Sequence, residues 1–287
     1  LGEKYLLANG VKVDPNAYPK LLPYLIRKYP YSSFSNKTIV SQNNIGTDIY
    51  GNAKFVYLNG YYIYIAHPGY GPLIAYYATN PLGSWSSKTL ITSPYGTFIN
   101  IAYGNGKWVI ITANGYSINY YTATSLTGTW FDGGSVPLNF GNSSQADRMN
   151  IKFLNEYFVV YGQVDNGYVA YTRDLSSWSQ FRVWSSGTVT DMLYADGYYL
   201  CAGNTGIYRS ASLGSMFSKV TLQDDTHDVI KLADIDNKIL FVLSNGSAGY
   251  MDGSTGTIHY ISNLHTAPIK FSNFDWAILK KEGYWLY

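Results

Sequence analysis

The 287-residue chain holds a single cysteine, Cys201, so no internal disulfide can staple it. It has no run of 18 apolar residues, which removes the expectation of a membrane-spanning helix. The first residues lack the charged-then-apolar plan of a secretory signal. Charged residues make up 13% of the chain, about half the ~25% usual in globular proteins. Twenty Lys and Arg stand against eighteen Asp and Glu with no basic run, so a nucleic-acid surface is not expected. The four histidines (His67, His227, His259, His265) form no zinc-type pair, and no phosphate-cradling glycine loop stands in a suitable context. No metal and no cofactor are therefore expected. The loop Asp224–Asp228 is acidic but lacks the spacing of a calcium loop, and reads as solvated.

What the chain has in excess is tyrosine, 30 residues, beside 7 Trp and 12 Phe. Tyrosine suits pleated strands, where its ring packs and its hydroxyl reaches water. Most of these rings are expected to fill space between sheets. They occur in a repeat. FVYLNGYYIYI (55–65), IAYGNGKWVII (101–111), IKFLNEYFVVY (151–161), MLYADGYYLCA (192–202), LADIDNKILFV (232–242) and ILKKEGYWLY (278–287) each read as a strand, a tight polar pair and a second strand. The turn residues Gly60, Gly106, Glu156, Gly197, Asn237 and Gly283 are spaced by 46, 50, 41, 40 and 46 residues. Hairpins at such a period predict a β-propeller. The expected fold is all-β with six blades over 34–287, preceded by an N-terminal arm, 1–33, with a short strand and a helix.

A second pattern follows the hairpins: LIAYYATNPLGSW (73–85), SINYYTATSLTGTW (117–130), YVAYTRDLSSW (168–178) and IYRSASLGSMF (207–217), with a weaker copy ending at Ile258. Each is a strand, a turn of short polar residues that can bond their own backbone, and a large apolar residue. That residue, Trp85, Trp130, Trp178, Phe217 or Ile258, is expected to pack over the turn and close the blade edge. The turn resembles the Asp-box (BNR) repeat of sialidase-like propellers in degenerate form. Thr172 to Trp178 keeps the Asp and loses the Gly, while Thr79 to Trp85 keeps the Gly and lacks the Asp. The resemblance implies a propeller whose boxes are structural and lie opposite the ligand face. The sixth hairpin ends at Tyr287 with no outer pattern after it. Residues 29–39 line up with 80–90, so a strand near 34–41 is expected to complete the last blade and close the ring.

Tyr5 to Gly10, followed by Ala17-Tyr18-Pro19-Lys20-Leu21-Leu22, is similar to the tail-collar segment of bacteriophage tail fibres. That likeness implies a virion protein, attached to other virion proteins through its N-terminal arm and binding a host surface polysaccharide or a neighbouring protein.

Binding residues are sought at the mouth of the propeller channel. Six positions before each hairpin turn stand Lys54, Asn100, Asn150, Asp191, Lys231 and Ala277, five of them polar, each followed by an apolar residue. The five polar residues are candidates for a ring of donors and acceptors. Tyr70 and Tyr116, beside Gly and Asn in loops on the same side, are candidates for stacking on sugars or a protein partner. A sialidase-like hydrolase is the rival expectation. The resemblance implies that such an enzyme needs three arginines around a carboxylate, a Tyr–Glu nucleophile pair and an Asp acid/base. The chain has five arginines, of which only Arg148 stands clearly at an inner-strand start. Two of its three glutamates, Glu156 and Glu282, fall in hairpin turns on the opposite side. Asp147, Asp191 and Asp228 could approach the mouth. No catalytic residue is assigned, and a purely structural decoration protein is the third expectation.

Overall fold

In the computed structural model the described residues run from 54 to 261, apart from 67–70, 81–82, 115–116, 139–148, 163–166, 185–186, 204–205, 223–225, 236–237, 246–247 and 255. The expected arm, the strand at 34–41 and the hairpin at 278–287 lie outside them.

Among the described residues, twenty strands form five four-stranded antiparallel sheets, each with its strands in chain order. The first contains β1 (Lys54–Leu58), β2 (Tyr61–Ala66), β3 (Leu73–Ala78) and β4 (Ser86–Ile91). The second contains β5 (Thr97–Gly104), β6 (Lys107–Ala113), β7 (Ile118–Ala123) and β8 (Phe131–Val136). The third contains β9 (Asn150–Leu154), β10 (Tyr157–Tyr161), β11 (Tyr168–Thr172) and β12 (Ser179–Arg182). The fourth contains β13 (Val189–Ala195), β14 (Tyr198–Gly203), β15 (Gly206–Ser210) and β16 (Ser218–Val220). The fifth contains β17 (Val229–Ile235), β18 (Lys238–Leu243), β19 (Ala248–Asp252) and β20 (Ile258–Ile261). No helix occurs among the described residues.

The first two strands of each sheet are the predicted hairpins. Four of the turns are two-residue connections with both residues at positive φ: Asn59-Gly60, Asn105-Gly106, Asn155-Glu156 and Asp196-Gly197. That is the turn whose twist matches antiparallel strands, and it explains the Asn-Gly and Asp-Gly pairs. Glu156, at φ 72°, occupies a position that suits glycine.

The sheets stack face to face, and four apolar seams join them. Val56, Ile63, Ile65 and Leu73 of the first sheet meet Ile101, Trp108 and Ile110 of the second. Val109, Ile111 and Tyr120 of the second meet Ile151, Phe158 and Val160 of the third. Val159, Tyr161 and Phe181 of the third meet Met192, Tyr199 and Cys201 of the fourth. Leu200, Ala202 and Ile207 of the fourth meet Leu232, Ile239 and Phe241 of the fifth. Neighbours along one strand therefore serve opposite seams, as with Trp108 and Val109. A strand buried on both faces reads as a nearly continuous apolar run, and β6 does so. A fully buried Val, Ile or Leu contributes about 1.5–3 kcal/mol, against about 1 kcal/mol net for a hydrogen bond, so the seams dominate cohesion.

The large residues after the second pattern do more than close an edge. Trp130, Trp178, Phe217 and Ile258 each pack into the seam with the preceding sheet. Phe217 stacks on Phe181 of the sheet before it, with ring centroids 5.2 Å apart and 12° between planes. Further ties run from one sheet to the outer turn of the next. The Tyr120 hydroxyl donates to the Leu175 carbonyl at 2.7 Å, and the Ser254 amide donates to the Asp196 carboxylate at 2.8 Å.

Candidate functional site

At the other end of the strands, the first strands of successive sheets lie side by side. Here β5, β13 and β17 carry register irregularities, between Phe98 and Asn100, Val189 and Asp191, and Val229 and Lys231. Such a bulge frees the next backbone N–H from regular pairing and re-aims the side chain. In β5 and β13 the side chain at this position accepts that N–H, and Asn150 does the same in β9, whose register is regular. Asn100 Oδ1 accepts from Ile101 N at 2.8 Å, Asn150 Oδ1 from Ile151 N at 2.9 Å, and Asp191 Oδ1 from Met192 N at 2.9 Å. Lys231 has no acceptor to offer. The N–H after it, Leu232 N, donates instead to Asp191 Oδ2 of the preceding sheet at 3.0 Å.

Two pairs of the expected polar set are thus joined from sheet to sheet, Asn100 with Asn150 and Asp191 with Lys231. Asn100 Nδ2 donates to Asn150 Oδ1. Asp191, with none of its side chain exposed, meets Lys152 Nζ at 2.6 Å and Lys231 Nζ at 3.4 Å. The Tyr161 hydroxyl adds a hydrogen bond to Asp191 Oδ1 at 2.9 Å, and Lys152 also donates to the Met192 carbonyl at 2.9 Å. One carboxylate therefore binds the third, fourth and fifth sheets together. Burial pushes its pKa up, but Lys152, Lys231 and the Leu232 N–H outweigh burial and hold it at about 2. Below it, burial and the Asp191 charge push the Cys201 thiol well above its ordinary value, so Cys201 is an inert core residue.

Asn100 is also buried, while Lys54, Asn150 and Lys231 are half-buried. Tyr70, Tyr116, Asp147 and Arg148 lie outside the described residues, as does Ala277. Lys152 and Tyr161 were not anticipated. The signal for Lys152 was a charge between Ile151 and Phe153 in an inner strand, which demands a partner there.

The described arginines do not converge. Arg173 pairs with Glu156 at 2.5 Å at the hairpin end of the third sheet. Arg209 donates to the Ser254 carbonyl at 2.6 Å, and Arg182 Nε donates to the Trp184 carbonyl at 3.0 Å. Among the described residues no three His, Cys, Asp or Glu gather as a metal site.

No protein-family model and no curated protein matches the chain. Its similarities are to solved propellers. YCF48 from Cyanidioschyzon merolae aligns with a TM-score of 0.54 and 11% identity over 73% of this chain and 71% of that one. The WD40 β-propeller domain of Doa1 gives a TM-score of 0.51 and 13% identity over 72% of this chain and 67% of that one. A GH43 β-1,3-galactosidase also matches, at 0.42 and 10% identity over 73% of this chain and 88% of that one. The first two likenesses define the fold as a β-propeller and reach no further.

Proposed function

We propose that this chain is a non-enzymatic binding propeller, a tail or receptor-contacting component of a bacteriophage virion. In this reading the propeller has six blades. Residues 262–287 supply the last one, and a strand near 34–41 closes the ring. The N-terminal arm attaches to other virion proteins. The end of the sheets that carries Asn150, Lys231 and Lys54, with Tyr70 and Tyr116 in neighbouring loops, contacts a host surface glycan.

The observation that carries the non-enzymatic part is the state of Asp191. A general acid or base at the channel must reach substrate and exchange a proton with it. Asp191 is sealed in the interior, held ionised by two lysines and occupied by a tyrosine hydroxyl and two backbone N–H groups. The virion part rests on the tail-collar likeness and on the low charge and high tyrosine content.

The test is a bacterial surface-glycan array combined with an assay for new reducing ends. Binding without release of reducing ends is the expected outcome, weakened by Tyr70→Ala or Tyr116→Ala. Turnover abolished by Asp147→Asn would establish a hydrolase instead. Absence of any glycan signal, with co-purification of a multimeric protein partner, would make the chain a structural decoration.

A further inference from the structure

The loop between β4 and β5 presents Tyr95 at the end of the sheets where the inner strands begin, two residues before Thr97 opens β5. The Tyr95 ring is 56% exposed, yet its backbone is held on both sides. Its N–H donates to the Tyr121 hydroxyl at 2.7 Å, and its carbonyl accepts from the Thr112 hydroxyl at 2.5 Å. Both of those side chains are buried. Gly96 follows at φ 87°, and a Cβ there would lie 2.3 Å from the Ala113 carbonyl oxygen, so only glycine fits. The Thr97 hydroxyl then donates to that same carbonyl at 3.1 Å.

The fastening belongs to this sheet alone among the five. Where β6 has Thr112, six places after its hairpin turn residue, the others have Ala66, Gly162, Gly203 and Leu243. A hydroxyl in a fully buried, apolar strand costs stability unless it is bonded, and here its bond holds the Tyr95 loop. Single exposed tyrosines are ordinary on a protein surface. Tyr95 differs in that two buried hydroxyls fix the backbone from which its ring projects.

Asn114 lies beside Gly96, its backbone nitrogen 2.9 Å from where that Cβ would stand. Asn114 Oδ1 accepts from Ser117 N at 3.2 Å and from Ser117 Oγ at 2.8 Å. A backbone N–H can only donate, so the amide oxygen must face Ser117 and Nδ2 must face away. Asn114 is half-buried, and no group among the described residues accepts from its Nδ2. Residues 92–97 carry no charge, nor do Thr112, Ala113, Asn114 and Ser117. Asp132, opposite Tyr121 in the ladder, has the wrong sign to attract an anion.

We infer that Tyr95 is the platform for one face of a neutral hexopyranose, with Asn114 Nδ2 donating to a hydroxyl at the sugar's rim. The inference rests on the glycan-binding reading and names the sugar class and two residues for it. A pyranose with mostly equatorial hydroxyls shows a face of axial C–H groups that packs on an aromatic ring, while its rim needs hydrogen-bond partners. The loop is fastened before any ligand arrives, so little ordering entropy is lost on binding.

The full chain is titrated with methyl β-D-glucopyranoside, methyl β-D-galactopyranoside, methyl β-D-glucuronide and N-acetylneuraminic acid by saturation-transfer NMR. The same variants are applied to the bacterial surface-glycan array. A neutral glycoside is expected to bind with saturation concentrated on the C–H groups of one ring face, and the two acidic sugars are expected to bind less well. Tyr95→Ala weakens binding by about tenfold or more, Tyr95→Phe by no more than about twofold, and Asn114→Asp by about fivefold. Tyr95→Ala keeps the melting temperature within about 2 °C, because it removes an exposed ring and leaves the backbone bonds in place. Native-strength binding by Tyr95→Ala, or a preference for the acidic sugars, overturns the inference and leaves the glycan reading standing. No binding of any saccharide overturns both. Loss of a co-purifying protein from Tyr95→Ala, with no saccharide bound, makes Tyr95 a protein contact and overturns the sugar assignment.

Discussion

Asp191 is the residue on which most of the polar order depends. It replaces an acceptor that Lys231 cannot provide, and it neutralises a lysine that β9 would otherwise bury unpaired. Asp191→Asn keeps the shape and removes the charge, leaving Lys152 and Lys231 facing each other. A loss of about 3 kcal/mol in urea unfolding at pH 7 is expected. The pH dependence has a defined sign. The carboxyl's pKa falls from 3.8 to about 2 on folding, so its contribution is present above pH 4 and fades as pH falls through 2. The difference between the native chain and Asp191→Asn should shrink by about 2 kcal/mol between pH 5 and pH 2. A gap independent of pH would mean that the asparagine acts through packing alone.

At the scale of the strand and turn, the hairpin is the unit that the amino acids announce most clearly. Asn59-Gly60, Asn105-Gly106 and Asp196-Gly197 carry the positive φ values their turns demand. Asn155-Glu156 does not look like such a turn by itself and is legible only through the repeat. Glu156→Gly removes the strain of a side chain at φ 72° and forfeits only an exposed ion pair with Arg173. A gain of about 0.5–1 kcal/mol is expected by thermal or urea unfolding, and a loss would mean that the pair with Arg173 outweighs the strain.

The polar positions at the start of the inner strands were equally legible, because each is followed by an apolar residue. Their partners were not. Whether Asn100 reaches Asn150, or Asp191 reaches across to Leu232, depends on the irregularities in β5, β13 and β17, which no local pattern marks. Lys152 and Tyr161 were hidden for a related reason. Their role appears only when β9, β10 and β13 are neighbours in space. The large residue after the second pattern was recognised, but its direction was not. Trp178 and Phe217 turn into the preceding seam.

For the whole molecule, repetition made the sheets readable and left the chemistry obscure, since the seams absorb many of the described tyrosines that might have marked a site. Tyr120, Tyr121, Tyr161 and Tyr199 are buried in them, whereas Tyr95 stands 56% exposed. If residues 34–41 complete the last blade, a chain lacking residues 1–41 should melt at least 5 °C lower than the full chain. An unchanged melting temperature would detach that segment from the ring.

Face-to-face stacking also sets a timetable for synthesis. Every finished sheet holds up an oily downstream side until its successor leaves the ribosome, roughly 40–50 residues later. At about 5–20 residues per second that is a wait of some 2–10 s, far longer than hairpin closure. Nascent chains held together on one message have time to match each other's waiting surfaces. Slow translation, rather than low stability, is then the condition under which this protein should aggregate.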